Sequence, residues 1–571
     1  MVKYLKNKKL SALLQLLLLL LSLFLINYLA SNFYSRIDLT KEKRFTLSSA
    51  TIDLINNLDD RVYIEVYLEG SFPSGFRRLR NATEDMLAEF RSRSGNRIDY
   101  SFMDISSIED REERRAFQDQ LHEKGILPTT LSVQDGDGFS QKVIFPGAMV
   151  FFKGRELSVN LLESGIGSGT FQALNQSEEL LEYKFASAIN QLDRDVKPRV
   201  VFLEGHGELL PEKVLDISRE LQRKQYEVFR MNIHEQVTIG LHNDVLIIAK
   251  PRERFSEQNK FKIDQFVMGG GSVIWLIDQM DAEMDSLRGQ TMFFSNMMDL
   301  NLDDMLFKYG VRINPDLVQD LQCNPIPLVI GSMGGQPQTE LFPWYYYPVA
   351  ISPSDHPINR NIDPVSFKFA STIDTIRTIN QDIDKTILLT SSQYSRALMA
   401  PVRLHFSMLQ EDPNPEHFRQ PQRKLAVLLE GTFESVFKNR LAPETISMID
   451  SIPEVIYREE SLPTKMLVIS DGDFIRNETT SRGEIYPLGF YRYTEQTFAN
   501  RDFLLNAIDY MIDDSGLIET RNREIRLRLL DRTKVNEEKF KWRVINMTVP
   551  LIFVLIFGII YNFIRRKRFT S

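Results

Sequence analysis

The residues best suited to chemistry form a short string, Glu204-Gly205-His206-Gly207-Glu208, directly after an apolar run. Glycines let a backbone approach a ligand, and an imidazole between carboxylates supplies acid–base or metal-binding groups. His206 has no second histidine at metal spacing, so the string also reads as a plain turn from strand to helix. His234 and His242 fall on a separate polar loop, and His122, His356, His405 and His417 are scattered as surface positions would be. Asp471-Gly-Asp473 offers two carboxylates to a cation, although the same tripeptide is a common polar turn.

Other strings exclude chemistries. Gly269-Gly-Gly271 follows a helical stretch and precedes an apolar one, the reverse of a phosphate-binding loop, and reads as a helix stop. Gly331-Ser-Met-Gly-Gly335 lacks the Lys and Ser/Thr of a Walker motif, so ATP hydrolysis by this chain is not expected. Cys323 lies in Leu321-Gln-Cys-Asn-Pro325, a loop without the setting of a nucleophile, and as the sole cysteine it allows no internal disulfide. We therefore expect no catalytic residue, no metal and no cofactor.

The elements that must position these residues alternate between strand and helix, the pattern of α/β domains. Residues 10–30 and 544–564 are apolar runs of membrane-spanning length, flanked by basic tips at 1–9 (Lys3, Lys6, Lys8, Lys9) and 565–571 (Arg565, Arg566, Lys567, Arg568). The positive-inside rule puts both tips in the cytoplasm and the body between them in the periplasm, anchored to a bacterial inner membrane. A cleaved signal peptide is the rival for the first run, and the length of that run favours retention. The chain carries −8 overall, and its eight basic tip residues leave −16 for the remainder, which excludes nucleic acid as a partner.

Within the body, Arg36 to Ser48 is a polar juxtamembrane stretch ending in a helix cap, and Ser49 to Leu58 reads as a short helix. Over 36–165 come a strand at Arg61–Leu68, a helix at Phe76–Arg91, a strand at Ile98–Asp104 and a helix at Glu109–Lys124. Pro128 then leads into an antiparallel pair, Lys142–Phe145 and Ala148–Phe152. This order resembles the thioredoxin-like fold, which implies a cis proline at Pro128; the redox cysteines are absent.

A linker near Gly165 and a helix over Ser177–Leu192 lead into 175–531. Apolar strands at Arg199–Leu203, Asp244–Ala249 and Ser272–Ile277, with helices between them, indicate a parallel sheet covered on both faces. This region resembles the class I glutamine amidotransferase-like, Rossmann-like domain. Ligands sit at the carboxyl ends of such strands, which singles out Glu204, Gly205, His206, Gly207, Glu208, Asp278 and Gln279 as ligand-binding candidates. Lys465–Ser470 and Arg501–Ile512 complete the sheet, Glu524–Leu530 reads as a last strand, and 532–543 is a charged juxtamembrane linker.

Taken together, the chain resembles the auxiliary, or substrate-binding, G component of the gliding-motility-associated ABC transporter. The resemblance rests on Arg36-Ile-Asp-Leu-Thr40, Arg44-Phe-Thr-Leu-Ser48, Leu203-Glu-Gly-His-Gly-Glu208, Phe266-Val-Met-Gly-Gly-Gly-Ser272, Asn500-Arg-Asp-Phe-Leu-Leu-Asn506 and the two terminal spans. It implies a permease subunit and a cytoplasmic ATPase as partners, with membrane lipid and envelope proteins beside them. Two roles follow as expectations: a non-catalytic subunit coupling the ATPase cycle to envelope components, or a membrane-anchored module delivering a solute or envelope component to the permease.

Overall fold

Ser48 begins the body, accepting a hydrogen bond from the Thr51 amide at 3.1 Å and so capping the helix Ser49–Asn56, as its position predicts. The computed structural model describes residues 16–25, 27, 46–70, 72–135, 138–163, 170–333, 336–377, 382–409, 413–419, 421–451, 457–480, 482–513, 515–522 and 532–569. The juxtamembrane stretch 36–45, the linker at 164–169 and the strand expected at Glu524–Leu530 lie outside the described residues. The body, Phe45–Arg523, forms one unit.

Its first layer is a four-stranded sheet in the order Ile98–Phe102, Val62–Val66, Gly147–Phe152, Arg155–Asn160. The first pair is parallel across the helix Ser74–Arg93, and the other two pairs are antiparallel. Ile64, Val66, Phe90 and Phe152 close a core against Phe185 and Ile189 of the helix Leu181–Asp193. The pairing differs from expectation. Residues 142–144 pair with Thr129–Asp135 in a separate hairpin, whereas Gly147–Phe152 pairs with Arg155–Asn160. A tight turn in which the Gly147 amide donates to the Phe145 carbonyl at 2.8 Å divides the two segments. The peptide before Pro128 is not cis; the cis bond among the described residues is Ala400–Pro401. The helix expected over Ser177–Leu192 is two, Thr170–Glu179 and Leu181–Asp193.

The second layer is a seven-stranded sheet in the order Ile383–Thr390, Lys424–Gly431, Thr464–Ile469, Ser272–Leu276, Val245–Ala249, Arg199–Glu204, Glu227–Asn232. The last five strands are parallel; Lys424–Gly431 is antiparallel to them, and Ile383–Thr390, antiparallel to it in turn, runs with the five. Every residue of Val245–Ala249 and Ser272–Leu276 is buried, because helices cover both faces. One face packs Ile217, Leu221, Phe503 and Ile508; the other packs Ile263, Phe266 and Met305. Inserted segments form a β-rich cap with its own core around Leu317, Trp344, Tyr346 and Leu404. Its longest feature is the hairpin of Cys323–Met333 with Gln336–Ala350, so Cys323 opens a strand instead of lying in a loop.

Outside the body, the described residues include a short apolar helix at Leu16–Leu25 and a long one, Arg532–Phe569. Glu538–Lys567 of the latter contains an 18-residue stretch with a mean hydropathy of 2.4 and is long enough to cross a bilayer. The expected charged linker is its first three turns.

Candidate functional site

In the five parallel strands the order reverses at Arg199–Glu204, which has Glu227–Asn232 on one side and Val245–Ala249 on the other. A crevice opens outside the carboxyl ends at such a reversal, and the Gly205–Glu208 turn stands there. Gly205 and Gly207 have φ of +124° and +72°, and a Cβ on Gly205 would come within 2.7 Å of the His234 ring. The two glycines turn His206 inward, where it stacks on Phe255 with centroids 3.6 Å apart and is 2% exposed. Its carbonyl accepts from the Arg252 and Glu253 amides at 2.7 and 2.9 Å, and the Leu209 amide donates to the Ala249 carbonyl at 3.0 Å. The two loops at the reversal are thus closed on each other.

A single amide organises both histidines. Asn259 Nδ2 lies 3.2 Å from His206 Nε2 and 3.3 Å from His234 Nδ1, while His234 Nε2 lies 2.8 Å from the Gly205 carbonyl. The Asn259 amide reaches both rings, and His234 Nε2 donates to the Gly205 carbonyl. His206 Nδ1 then faces Glu208 Oε1 at 3.5 Å, too far for a hydrogen bond, while Glu208 Oε2 accepts from the His206 amide at 2.7 Å. His234, expected on a separate loop, is therefore part of the His206 cluster. Glu204 is apart from it, paired with Arg230.

Asp278 and Gln279 belong to a neighbouring knot. Lys250, 2% exposed and left-handed at φ +57°, holds its ammonium 2.5 Å from Asp473, 3.1 Å from Asp278 and 3.3 Å from Glu283. Asp278 also accepts from the Gly472 amide at 2.6 Å, and the Gln279 carbonyl accepts from the Met298 amide. Asp471-Gly-Asp473 is a polar turn, in which Asp471 accepts from the Asp473 amide at 2.8 Å, and the cation beside Asp473 is the protein's own lysine. Burial, then the Asp278 and Asp473 charges, push Asp471 well above the usual carboxylate range. Burial also acts to raise Asp473, but Lys250, Arg476 and Lys368 outweigh it and hold that carboxyl at about 2. In Lys250 the two aspartates overcome desolvation and raise its pKa.

Open space lies one step along the edge, in a cleft of about 840 Å³ between the cap and the segment Asp473–Thr479. Tyr347, Phe369, Phe406, Tyr491 and Tyr493 supply its aromatic surface, and Lys213, Arg288 and Arg492 are among its cations. None of the seven residues expected from the sequence lines it. The aromatic strings Phe342-Pro-Trp-Tyr-Tyr-Tyr-Pro348 and Phe490-Tyr-Arg-Tyr493, which supply Tyr347, Tyr491 and Tyr493, are the signal by which sequence reasoning could have found it. Elsewhere, burial pushes the Cys323 thiol up to about 12, which leaves it protonated and a poor nucleophile. His356, expected at the surface, is half-buried, and desolvation lowers it to about 4.

A family model described as an ABC-type uncharacterized transport system matches residues 197–507, more than half of the chain. A model of a domain of unknown function matches residues 41–151. An uncharacterized protein of Borreliella burgdorferi is 22% identical over 575 residues, covering 99% of each chain. Among solved structures, the N-terminal domain of mmIFT52 aligns with 55% of this chain and 98% of its own at 11% identity and a TM-score of 0.31. An exo-β-1,4-mannosidase from Opitutaceae bacterium strain TAV5 aligns with 78% of this chain and 52% of its own, at 10% identity and a TM-score of 0.23.

Proposed function

We propose that this chain, which belongs to the ABC-type uncharacterized transport system family, is a non-catalytic, membrane-held auxiliary subunit of an ABC transporter. In this reading its body couples the conformational cycle of a permease and a cytoplasmic ATPase to envelope components. One observation carries the non-catalytic part: the crevice at the strand-order reversal is occupied by the protein's own His206, stacked on Phe255 and braced by Asn259. A group so enclosed serves packing instead of turnover. The apolar helix Glu538–Lys567 supports a membrane tether, and the basic residues after the span support a cytoplasmic C-terminal tip with the body in the periplasm.

The strand order of the four-stranded sheet favours the thioredoxin-like reading of the N-terminal region, and the parallel seven-stranded sheet favours the amidotransferase-like one. Service in gliding motility is the narrower form of the proposal and rests on the motif resemblance. Purification of the intact chain in gentle detergent tests the core claim: a polytopic membrane protein and an ATPase are expected in stoichiometric amounts. Recovery of the chain alone, under conditions that preserve other transporter complexes, would refute it.

A second reading, delivery of a solute to the permease, is favoured by the 840 Å³ aromatic and cationic cleft beside Asp473. In that reading Glu204–Glu208, Asp278 and Gln279 support the edge on which the ligand rests. A saturable rise in melting temperature with envelope metabolites, abolished by Tyr491→Ala, is the expected result.

A further inference from the structure

The string Asn500-Arg-Asp-Phe-Leu-Leu-Asn506 is only partly explained by folding. Asn500 bonds to the Ser366 backbone through both its oxygen (3.0 Å) and its nitrogen (2.8 Å), Asn506 accepts from Arg521 at 2.7 Å, and Phe503 and Leu504 are buried in the core. Arg501 and Asp502 have no such account. They stand in the first turn of the helix Asn500–Ile512 and line a cleft of about 300 Å³ bounded by strand Arg155–Asn160 of the small sheet and by helices Leu181–Asp193 and Leu215–Arg223.

Both side chains lack hydrogen bonds among the described residues. The Arg501 guanidinium, 26% exposed, has Asp216 and Glu220 as its nearest carboxylates, at 3.8 and 3.9 Å, beyond hydrogen-bonding distance. Both are already engaged, Asp216 by the Leu488 amide at 2.8 Å and Glu220 by Arg223. Among the described residues Asp502 makes no hydrogen bond and no ion pair within 4 Å. Burial raises its carboxyl above the usual range despite the opposing fields of Arg501, Lys224 and Arg521. The helix dipole favours an acid in the first turn but disfavours a cation there, so it accounts for Asp502 and not for Arg501. Polar groups in a cleft are ordinarily satisfied by protein or by water. Here Asp502 has no hydrogen bond among the described residues and Arg501 only its two longer ion pairs, beside apolar surface from Leu157, Leu162, Leu180 and Leu505.

We infer that this cleft binds a small zwitterion of amino-acid to dipeptide size, Arg501 taking its carboxylate, Asp502 its ammonium and the leucines its side chain. An anion alone would leave Asp502 without a partner at hydrogen-bonding distance, and a cation alone would leave Arg501 with only its ion pairs at 3.8 and 3.9 Å. Because the walls come from a strand of the small sheet and from helices packed on the large one, an occupant would join the two layers, whichever transport role the protein has.

The test uses the intact chain in detergent, titrated with L-alanyl-L-leucine by calorimetry and thermal shift. Saturable binding is expected, weakened about ten-fold or more by N-acetylation of the peptide, by amidation of its carboxylate, by Asp502→Asn and by Arg501→Gln. The melting temperature of unliganded Asp502→Asn should not fall, since desolvation outweighs the surrounding charges at that carboxylate and it has no hydrogen bond to lose among the described residues. Absence of saturable heat at millimolar peptide would overturn the inference, as would equal binding of the capped peptides or retained binding in both variants. The capped peptides act on the unaltered protein, so they decide the matter even if a variant fails to fold. None of these outcomes bears on co-purification with a permease and an ATPase.

Discussion

The carboxyl edge of the large sheet and the cleft beneath the small one both bring charged groups out of water, but they treat them differently. At the edge, Lys250 is held by Asp473 and Asp278 within 3.1 Å. In the cleft, Arg501 and Asp502 have no hydrogen bonds among the described residues, and the nearest carboxylates to Arg501 stand at 3.8 and 3.9 Å. Burying a charge is costly unless it is paired and hydrogen-bonded, so the first arrangement is what a stable fold requires. The second carries a standing cost, which is the signature of a group kept for something other than stability. Sequence motifs rank the two regions the other way, since Gly-His-Gly looks like a site and Arg-Asp looks like helix surface.

The largest expected effect tests the paired region. Lys250→Met leaves Asp278 and Asp473 buried without their cation and should lower stability by about 3–5 kcal/mol in denaturant titration. A loss below about 1 kcal/mol would mean that water already reaches this cluster. His206→Ala removes the ring stacked on Phe255 and strands Asn259, for an expected cost of about 2–4 kcal/mol. Urea midpoints measure it, and a neutral result would reopen the crevice as a ligand site.

A pH series sharpens the same comparison. Asp473 titrates at about 2 in the folded protein and near 3.9 when unfolded, so the unfolded state takes up protons first as pH falls. The corresponding stabilisation, about 2–3 kcal/mol, is full above about pH 5 and lost toward about pH 2. Asp473→Asn should remove that acid limb from a plot of stability against pH. Asp471 acts in the opposite sense: its raised pKa makes the folded state the better proton binder, so its contribution declines as pH rises above the unfolded value. The smallest effect belongs to the cleft. Asp502→Asn should leave stability unchanged or raise it by up to about 1 kcal/mol, against the clear loss from the isosteric change at Asp473. A loss at both positions would erase the distinction.

Much of the secondary structure was legible because it depends on local periodicity. The strands at 199–204, 245–249 and 272–276, the Ser48 cap and the helix at 500–512 lie where apolar runs, a hydroxyl before a helix and 3.6-residue spacing predict them. Pairing was less legible. Lys142–Phe145 has the composition of a strand, but composition does not say which strand it joins, and the turn at Phe145–Gly147 directs it to a different partner. The candidate site was the least legible part. Gly205 and Gly207 signal that a backbone turns tightly, without saying whether the side chain between them faces solvent or core.

The sequence by itself determined the membrane-length apolar segments, the acidic body, the alternation of strands and helices and the lack of disulfides, since each depends on composition or on residues near in the chain. Only the tertiary structure decided which charges are paired. Lys250 meets Asp473 across 223 positions, and Tyr226 reaches Asp509 across 283, at distances that no spacing along the chain encodes. Among the described residues it also left Arg501 and Asp502 without hydrogen bonds, in a cleft between the small sheet and helices packed on the large one. Whether a charged residue supports the fold or serves a ligand depends on what lies within about 3 Å of it, because hydrogen bonds weaken steeply beyond that range.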